Sequence, residues 1–300
     1  MLKVGIIGVG NIGQGMVYNL LQHGYETHIY APRSHEDIED MARQGAVLHY
    51  DYAELASVCD FIYIVVFSAD QVEDVAIGKG RIFNSMKPGS GVAVCSTIDP
   101  SVIKRLAAEA AQRELDFIDC PVSGGRNGAT NGTMLMMAAC SDEVFEKYKD
   151  VLRAVGSQTL QVGKEPGVGQ VAKATVQIMV SLNALVASEA LILGTKAGID
   201  PDLLYDILTH SYGTTRVLEE KAPEMLKRNF ASTGGLDIHI KDLDVGLRLG
   251  KELGTPLFLT ALAKELYISC QARGWGRDDF CSVIKLYEEF AQVLFARKES

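Results

Sequence analysis

The chain has 300 residues, 47% of them hydrophobic, which is ample for a sizeable core and, by length, for two domains. A formal net charge of −9 offers no basic field to a phosphate backbone, so nucleic acid is set aside and small molecules remain as partners. Six cysteines without a C-x-x-C pair point to a reducing cytoplasm and to no metal site.

Lys3 to Val9 is a short apolar run that enters Gly8-Val9-Gly10-Asn11-Ile12-Gly13, after which Gln14 to Gln22 takes up helical spacing. It lacks a basic leader and a cleavage site, so it reads as a strand and not as a signal sequence. Strand, glycine turn and helix in this order are the context of a dinucleotide loop. Gly8 permits the tight turn, Gly10 lets the backbone approach a pyrophosphate, and Gly13 lets the helix pack on the sheet. Glu26 to Tyr30 is the second strand, and no acid stands at its end to hold a ribose diol. Arg33 and Ser34 stand there instead and suit a 2′-phosphate, which favours NADP over NAD. The bland alternative is a solvated Arg33 and a Ser34 that caps the helix from His35.

Further strands are expected at Val47 to His49, Phe61 to Val66, Gly91 to Cys95 and Asp116 to Asp119. Helices between them are expected over His35 to Gln44, Asp70 to Ile77 and Pro100 to Arg113. The alternation implies a parallel, doubly wound α/β sheet of Rossmann type, with ligands at the carboxyl ends of the strands. That rule nominates Val66-Phe67-Ser68 and Ser96-Thr97 as walls of a cofactor crevice, although Ser96 and Thr97 equally suit a cap for the helix near Pro100. Asp119 to Gly132 presents Ser123-Gly124-Gly125-Arg126, a hydroxyl and bare N–H groups that make either an anion cradle or a plain turn. Met134 to Ala139, Asp142 to Leu152 and Gln158 to Val162 complete a domain of residues 1–163 as strand, helix, strand.

Residues 164–300 read as an all-helical domain that opens with one long helix from Val168 to about Ala197. Ala174 to Ser188 carries no charge for fifteen residues. That is short of the roughly 20 residues a membrane span needs, so a buried helix is expected there. Lys173 and Gln177 lie four apart and share a face. Lys173 is either a buried general acid/base or a lysine snorkelling at a helix start. Helices follow over Asp202 to Thr209, Thr214 to Lys227, Asp237 to Leu253, Pro256 to Arg273 and Asp278 to Arg297. Spacing alone makes Lys241-Asp242 a solvated pair.

Four stretches together resemble the β-hydroxyacid dehydrogenases, the group of 3-hydroxyisobutyrate dehydrogenase, tartronate semialdehyde reductase and, more distantly, 6-phosphogluconate dehydrogenase. They are Gly8 to Gly13, Asp119 to Gly132, Gly167 to Gln177 and Lys241-Asp242-Leu243, and the likeness runs over nearly the whole chain. It implies hydride transfer between NADP(H), or less favourably NAD(H), and a 3-hydroxy acid or semialdehyde, with Lys173 handling the proton and Gln177 beside it. It implies Ser123, Gly124, Gly125 and Arg126 around the substrate. Gly8, Gly10, Asn11, Ile12, Gly13, Arg33, Ser34, Val66, Phe67, Thr97 and Lys241 would surround the cofactor. A homodimer or homotetramer is implied as well. Three departures blur the substrate: Gln177 where the family has Asn, the charged Arg126, and Gly234-Gly235 where an aromatic is expected. The rivals are an imine reductase on a related scaffold and a non-catalytic NADP-binding module.

Overall fold

The computed structural model describes residues 2–33, 36–231 and 234–297. The chain forms two compact units, Met1–Lys173 and Ala174–Ser300. In the first, β1 (Lys3–Ile7), β2 (Glu26–Tyr30), β3 (Val47–His49), β4 (Phe61–Ile64), β5 (Gly91–Val94) and β6 (Asp116–Asp119) lie in the order 3-2-1-4-5-6, all parallel. The strand order reverses between β1 and β4, and a doubly wound sheet opens its ligand crevice at such a switch point. Phe61 and Tyr63 of β4 belong to one buried cluster, and Ile62 and Ile64 to the other. Both faces of the strand are therefore covered, which is why it reads as a continuous apolar run and not as an alternation.

Helices α1 (Asn11–Gln22), α2 (Glu36–Arg43), α3 (Tyr52–Val58), α4 (Ala69–Ala76), α5 (Ile82–Ser85) and α6 (Pro100–Ala111) connect these strands. Beyond β6 the sheet continues through β7 (Val122–Ser123), α7 (Gly125–Thr130), β8 (Leu135–Ala139), α8 (Asp142–Val155) and β9 (Gln158–Gly163). Strand β8 runs antiparallel to β6 and β7 and parallel to β9. The sequence pattern misses α3, α5 and α7, which have 7, 4 and 6 residues and are too short to show a helical period. Helix α7 lies within the glycine-rich stretch that the sequence offers as an anion cradle or a plain turn.

Helix α9 (Val168–Lys196) runs out of the first unit into the second. By length and composition it is apolar enough to cross a membrane, but 44% of its most apolar window is buried within the protein, and a core helix passes the same test. There follow α10 (Pro201–Thr209), α11 (Arg216–Leu226), α12 (Leu236–Glu252), α13 (Phe258–Gln271), a 3-10 turn Phe280–Val283 and α14 (Ile284–Ala291). The described residues of this unit contain no strand, as expected. The single helix expected over Asp278 to Arg297 is broken instead. Asp279 caps the 3-10 turn, and Gln292 at φ 50° ends α14 in the left-handed region. Phe295 then turns inward with no exposure, while the Arg228 guanidinium grips Glu288 through both carboxylate oxygens at 2.6 and 3.0 Å.

Helix α1 meets α7 at backbone distance. A Cβ on Gly15 would lie 2.4 Å from the Ala129 carbonyl carbon, and the buried Asn19 amide donates to Gly15 O and Ala129 O, both at 2.7 Å. Gly15→Ala is expected to destabilise the protein by about 1–3 kcal/mol, the usual cost of overpacking, despite alanine's better helix propensity. Urea unfolding read by circular dichroism measures it, and an unchanged midpoint would show that α7 can retreat.

Candidate active site

The glycine loop between β1 and α1 is shaped by its neighbours. Gly8 has φ +105°, and a Cβ there would sit 2.3 Å from the Val65 carbonyl oxygen. A Cβ on Gly13 would sit 2.0 Å from the Gly8 carbonyl oxygen, whereas one on Gly10 would meet nothing within 4 Å. The outer glycines thus serve the fold, and the middle one leaves the approach to the loop clear. No side chain caps α1 and no acid stands in its first turn, while Gly10 and Asn11 are exposed. The N–H groups of Asn11, Ile12 and Gly13 therefore open a helix N-terminus suited to a phosphate, and these residues fit a dinucleotide.

The carboxyl ends of the neighbouring strands come to the same place. Val66 lies against the position a Gly8 Cβ would take, and its carbonyl accepts a hydrogen bond of 2.6 Å from Ser96 Oγ. Phe67 is exposed, its N–H held by the Gln71 side chain at 2.9 Å. Ser68 caps α4 in a reciprocal box with Gln71. The capping alternative for Ser96 and Thr97 does not hold, because Asp99 caps α6. Thr97 is half-buried beside the Val66 loop through its neighbour Ser96. Arg33 is exposed beyond β2, where Ala31 and Pro32 precede it, and Ser34 lies outside the described residues.

Ser123 ends β7, and Gly124 and Gly125 follow at φ +139° and +59°, a backbone that glycine adopts without strain. Ser123 is half-buried, and Gly124, Gly125 and Arg126 are exposed. The rest of this stretch serves packing: Gly128 lies under Met134, and Gly132, at φ +65°, lies under the Asn19 amide.

The largest feature that sequence reasoning overlooked is Asp119, fully buried at the end of β6. Its Oδ2 accepts the backbone N–H groups of Gly167 at 2.9 Å and Gln170 at 3.2 Å, and its Oδ1 accepts the Gln170 side-chain amide at 2.7 Å. Gln170 in turn donates to the Ser96 carbonyl at 3.1 Å and accepts from the Ile98 N–H at 2.9 Å. A carboxylate from β6 therefore caps α9. Burial pushes its carboxyl up to about 6, although the Gln170 side chain and the backbone N–H groups of Gln170, Gly167 and Gly169 favour the charged form. Lys173 follows one turn after Gln170 and is 7% exposed.

In the second unit, Gln177 is buried and its Nε2 donates to Asp242 Oδ2 at 2.6 Å. The solvated reading of Lys241-Asp242 is overturned, since Asp242 is 2% exposed and Lys241 Nζ lies 3.1 Å from its Oδ1. The face of α12 that carries Asp242 packs on α9, which a short charged pair in sequence does not reveal. Gly234 and Gly235 precede α12, where a Cβ on Gly234 would meet nothing within 4 Å. Among the described residues no cluster of His, Cys, Asp and Glu could hold a metal.

Residues 3–163 match the family described as the NAD binding domain of 6-phosphogluconate dehydrogenase. Residues 167–287 match that described as NAD-binding of NADP-dependent 3-hydroxyisobutyrate dehydrogenase. The chain is 33% identical over 285 residues to an L-threonate dehydrogenase of Cupriavidus necator, covering 95% of this chain and 96% of the relative. The chain belongs to the β-hydroxyacid dehydrogenase family. It is a nicotinamide-dependent oxidoreductase. A 2-(hydroxymethyl)glutarate dehydrogenase of Eubacterium barkeri is 32% identical over 293 residues, with 97% of each chain covered. A solved 3-hydroxyisobutyrate dehydrogenase of Salmonella typhimurium superposes with a TM-score of 0.87 at 32% identity, over 95% of this chain and 100% of that one.

Asp119→Asn turns an amide donor toward backbone or side-chain N–H groups, so at neutral pH it is expected to destabilise the fold by about 2–3 kcal/mol. The wild-type carboxyl, near 6 folded and 3.8 free, stays neutral in the fold where the unfolded chain is already ionised. Its contribution therefore falls as pH rises from about 4 to about 6, by about 3 kcal/mol in all. Urea midpoints across that window should lose this part of their slope in Asp119→Asn, and parallel curves for the two proteins would contradict the assignment.

Proposed function

We propose that the chain is an NADP-preferring dehydrogenase of a 3-hydroxy acid, or in reverse a reductase of its semialdehyde, with Lys173 as general acid/base. The observation that carries this reading is a lysine 7% exposed, one turn beyond the point where Asp119 fastens the start of α9. A side chain so anchored has a fixed origin, which proton transfer at hydrogen-bond distance requires.

The N–H groups of Asn11, Ile12 and Gly13 would hold the pyrophosphate, with Gly8 and Gly10 shaping the loop. Val66, Phe67 and Thr97 would wall the crevice, and Lys241 would contribute a cation. The absence of an acid at the end of β2 and the exposed Arg33, with Ser34, support a 2′-phosphate and hence NADP. The match to a family described as NADP-dependent supports the same choice. The Ser123 hydroxyl and the N–H groups of Gly124 and Gly125 would hold the substrate carboxylate, leaving Arg126 for a second acidic group.

The nicotinamide, when bound, supplies or accepts the hydride. In reduction Lys173 gives its proton to the carbonyl oxygen, and in oxidation it takes the hydroxyl proton. Gln177, four residues on, supplies an amide on the same helix face. The named relatives act on L-threonate and 2-(hydroxymethyl)glutarate, so both belong at the head of a substrate panel with tartronate semialdehyde. Exposed Met179, Val186 and Leu193 recur every seventh residue along α9 and support a homodimer or homotetramer built on that stripe. The six cysteines without a C-x-x-C pair support a cytoplasmic location.

Lys173→Ala is expected to lower kcat by about 10²–10⁴-fold, the typical worth of general acid–base catalysis. NADPH affinity, read by fluorescence, should stay near wild type. A variant that keeps its rate would remove Lys173 from the chemistry. Arg33→Ala should weaken NADPH by about tenfold or more, the value of a charge-assisted hydrogen bond, and leave NADH unaffected. Equal losses for both cofactors would point to NAD.

A further inference from the structure

We propose that Asp242 is a positioning residue, and that Gln177 and Asp242 act as one unit whose combined reach fixes the amide beside the reacting centre. This rests on the function proposed above and adds to it the reason why glutamine stands at position 177.

Asp242 is 2% exposed and its Oδ2 takes the Gln177 amide at 2.6 Å. An ionised carboxylate only accepts, so the amide nitrogen must face Asp242 and the amide oxygen must face away. The orientation of a side chain that otherwise flips freely is thereby set by its partner's chemistry. The charge is compensated on the other side by Lys241, whose ammonium lies 3.1 Å from Oδ1 as an ion pair and not as an aligned hydrogen bond. A buried carboxylate with one amide and one ammonium is a costly arrangement to keep for packing alone, since an apolar pair of the same volume would serve as well.

The two helices that carry the pair are held in one register. One turn along, Ser181 Oγ meets His239 Nδ1 at 2.8 Å, and a Cβ on Gly246 would lie 3.3 Å from the Ile178 side chain. With the backbones so fixed, the distance from position 177 to position 242 must be spanned by side chains. Glutamine and aspartate together supply a certain number of methylenes, and asparagine in place of glutamine would leave Asp242 Oδ2 short of its donor.

The reach can be redistributed without changing its total. Gln177→Asn removes one methylene, Asp242→Glu adds one, and the double variant restores the sum, the charge and the amide-to-carboxylate bond. With full-length enzyme, NADPH or NADP and the panel named above, each single variant is expected to lose about tenfold or more in kcat/KM, carried by kcat. The double variant should return to within about threefold of wild type. Asp242→Asn keeps the shape but lets the amide face either way, and should lower kcat at temperatures where the variant, although less stable for the loss of its ion pair, is fully folded.

Losses that multiply in the double variant, single variants with wild-type kcat, or effects confined to the melting temperature each overturn the proposal. Should the two single variants fail to fold, Asp242→Asn decides alone, and wild-type kcat there overturns it. A wild-type enzyme inactive on the whole panel with both cofactors overturns the proposed function as well. An active wild type with multiplicative variants overturns only this inference.

Discussion

The first unit is closed by a carboxylate that helix α9 borrows from 48 residues upstream. The segment before α9, Glu165-Pro166-Gly167, offers no residue that caps it, and Gly167 sits at φ +99° so that its N–H turns toward Asp119. A helix of 29 residues ends in unpaired N–H groups and a partial positive charge, and a buried anion answers both. Burial works against that anion and raises its carboxyl to about 6, so the N–H donors offset only part of the desolvation. The geometry follows from this compromise. Gly169 must lack a side chain because a Cβ would fall 2.7 Å from the Asp119 carbonyl oxygen, and Gln170 must be an amide because it both donates and accepts between the ends of β5 and β6.

The glycine-rich stretches divide by the same logic into residues that hold the fold and residues that leave room. Gly8, Gly13, Gly15 and Gly169 are each pressed against backbone at less than 3 Å from where a Cβ would be, so packing alone accounts for them. Gly10 is pressed by nothing, which makes it the glycine whose smallness speaks for a visitor and not for a neighbour. In the Asp119 to Gly132 stretch, Gly128 and Gly132 face Met134 and Asn19 and Gly124 also lies against Met134, while Ser123 is half-buried and Gly125 and Arg126 are exposed. One sequence motif thus contains a hinge onto α1 and a separate polar edge.

The parallel sheet was legible because strands covered on both faces write unbroken apolar runs, and α9 because nearly thirty residues give a period time to show. Helices α3, α5 and α7 were not, being two turns or fewer and defined by what they pack on. The dinucleotide loop was readable from local order alone. The part of Asp119 was not, since its partners lie on a later helix and its surroundings in sequence are those of any strand end. For Ser96 two readings stood open: a hydroxyl before a proline-started helix has the look of a cap, yet Asp99 is one residue from Pro100 and takes the place.

Lys241-Asp242 shows most plainly what a linear reading omits. Two opposite charges side by side on a helix are ordinarily solvated, but consecutive residues point about 100° apart, so one can face solvent while its neighbour faces the core. Here Lys241 remains partly exposed and Asp242 does not. Once the carboxylate is inside, it needs donors, and the nearest helix supplies an amide at Gln177 in place of another apolar residue. Asp242 lies in the stretch shared with the family, so the departure at position 177 is a change on one side of the contact only. It is half of a buried pair whose other half the sequence had disguised as surface.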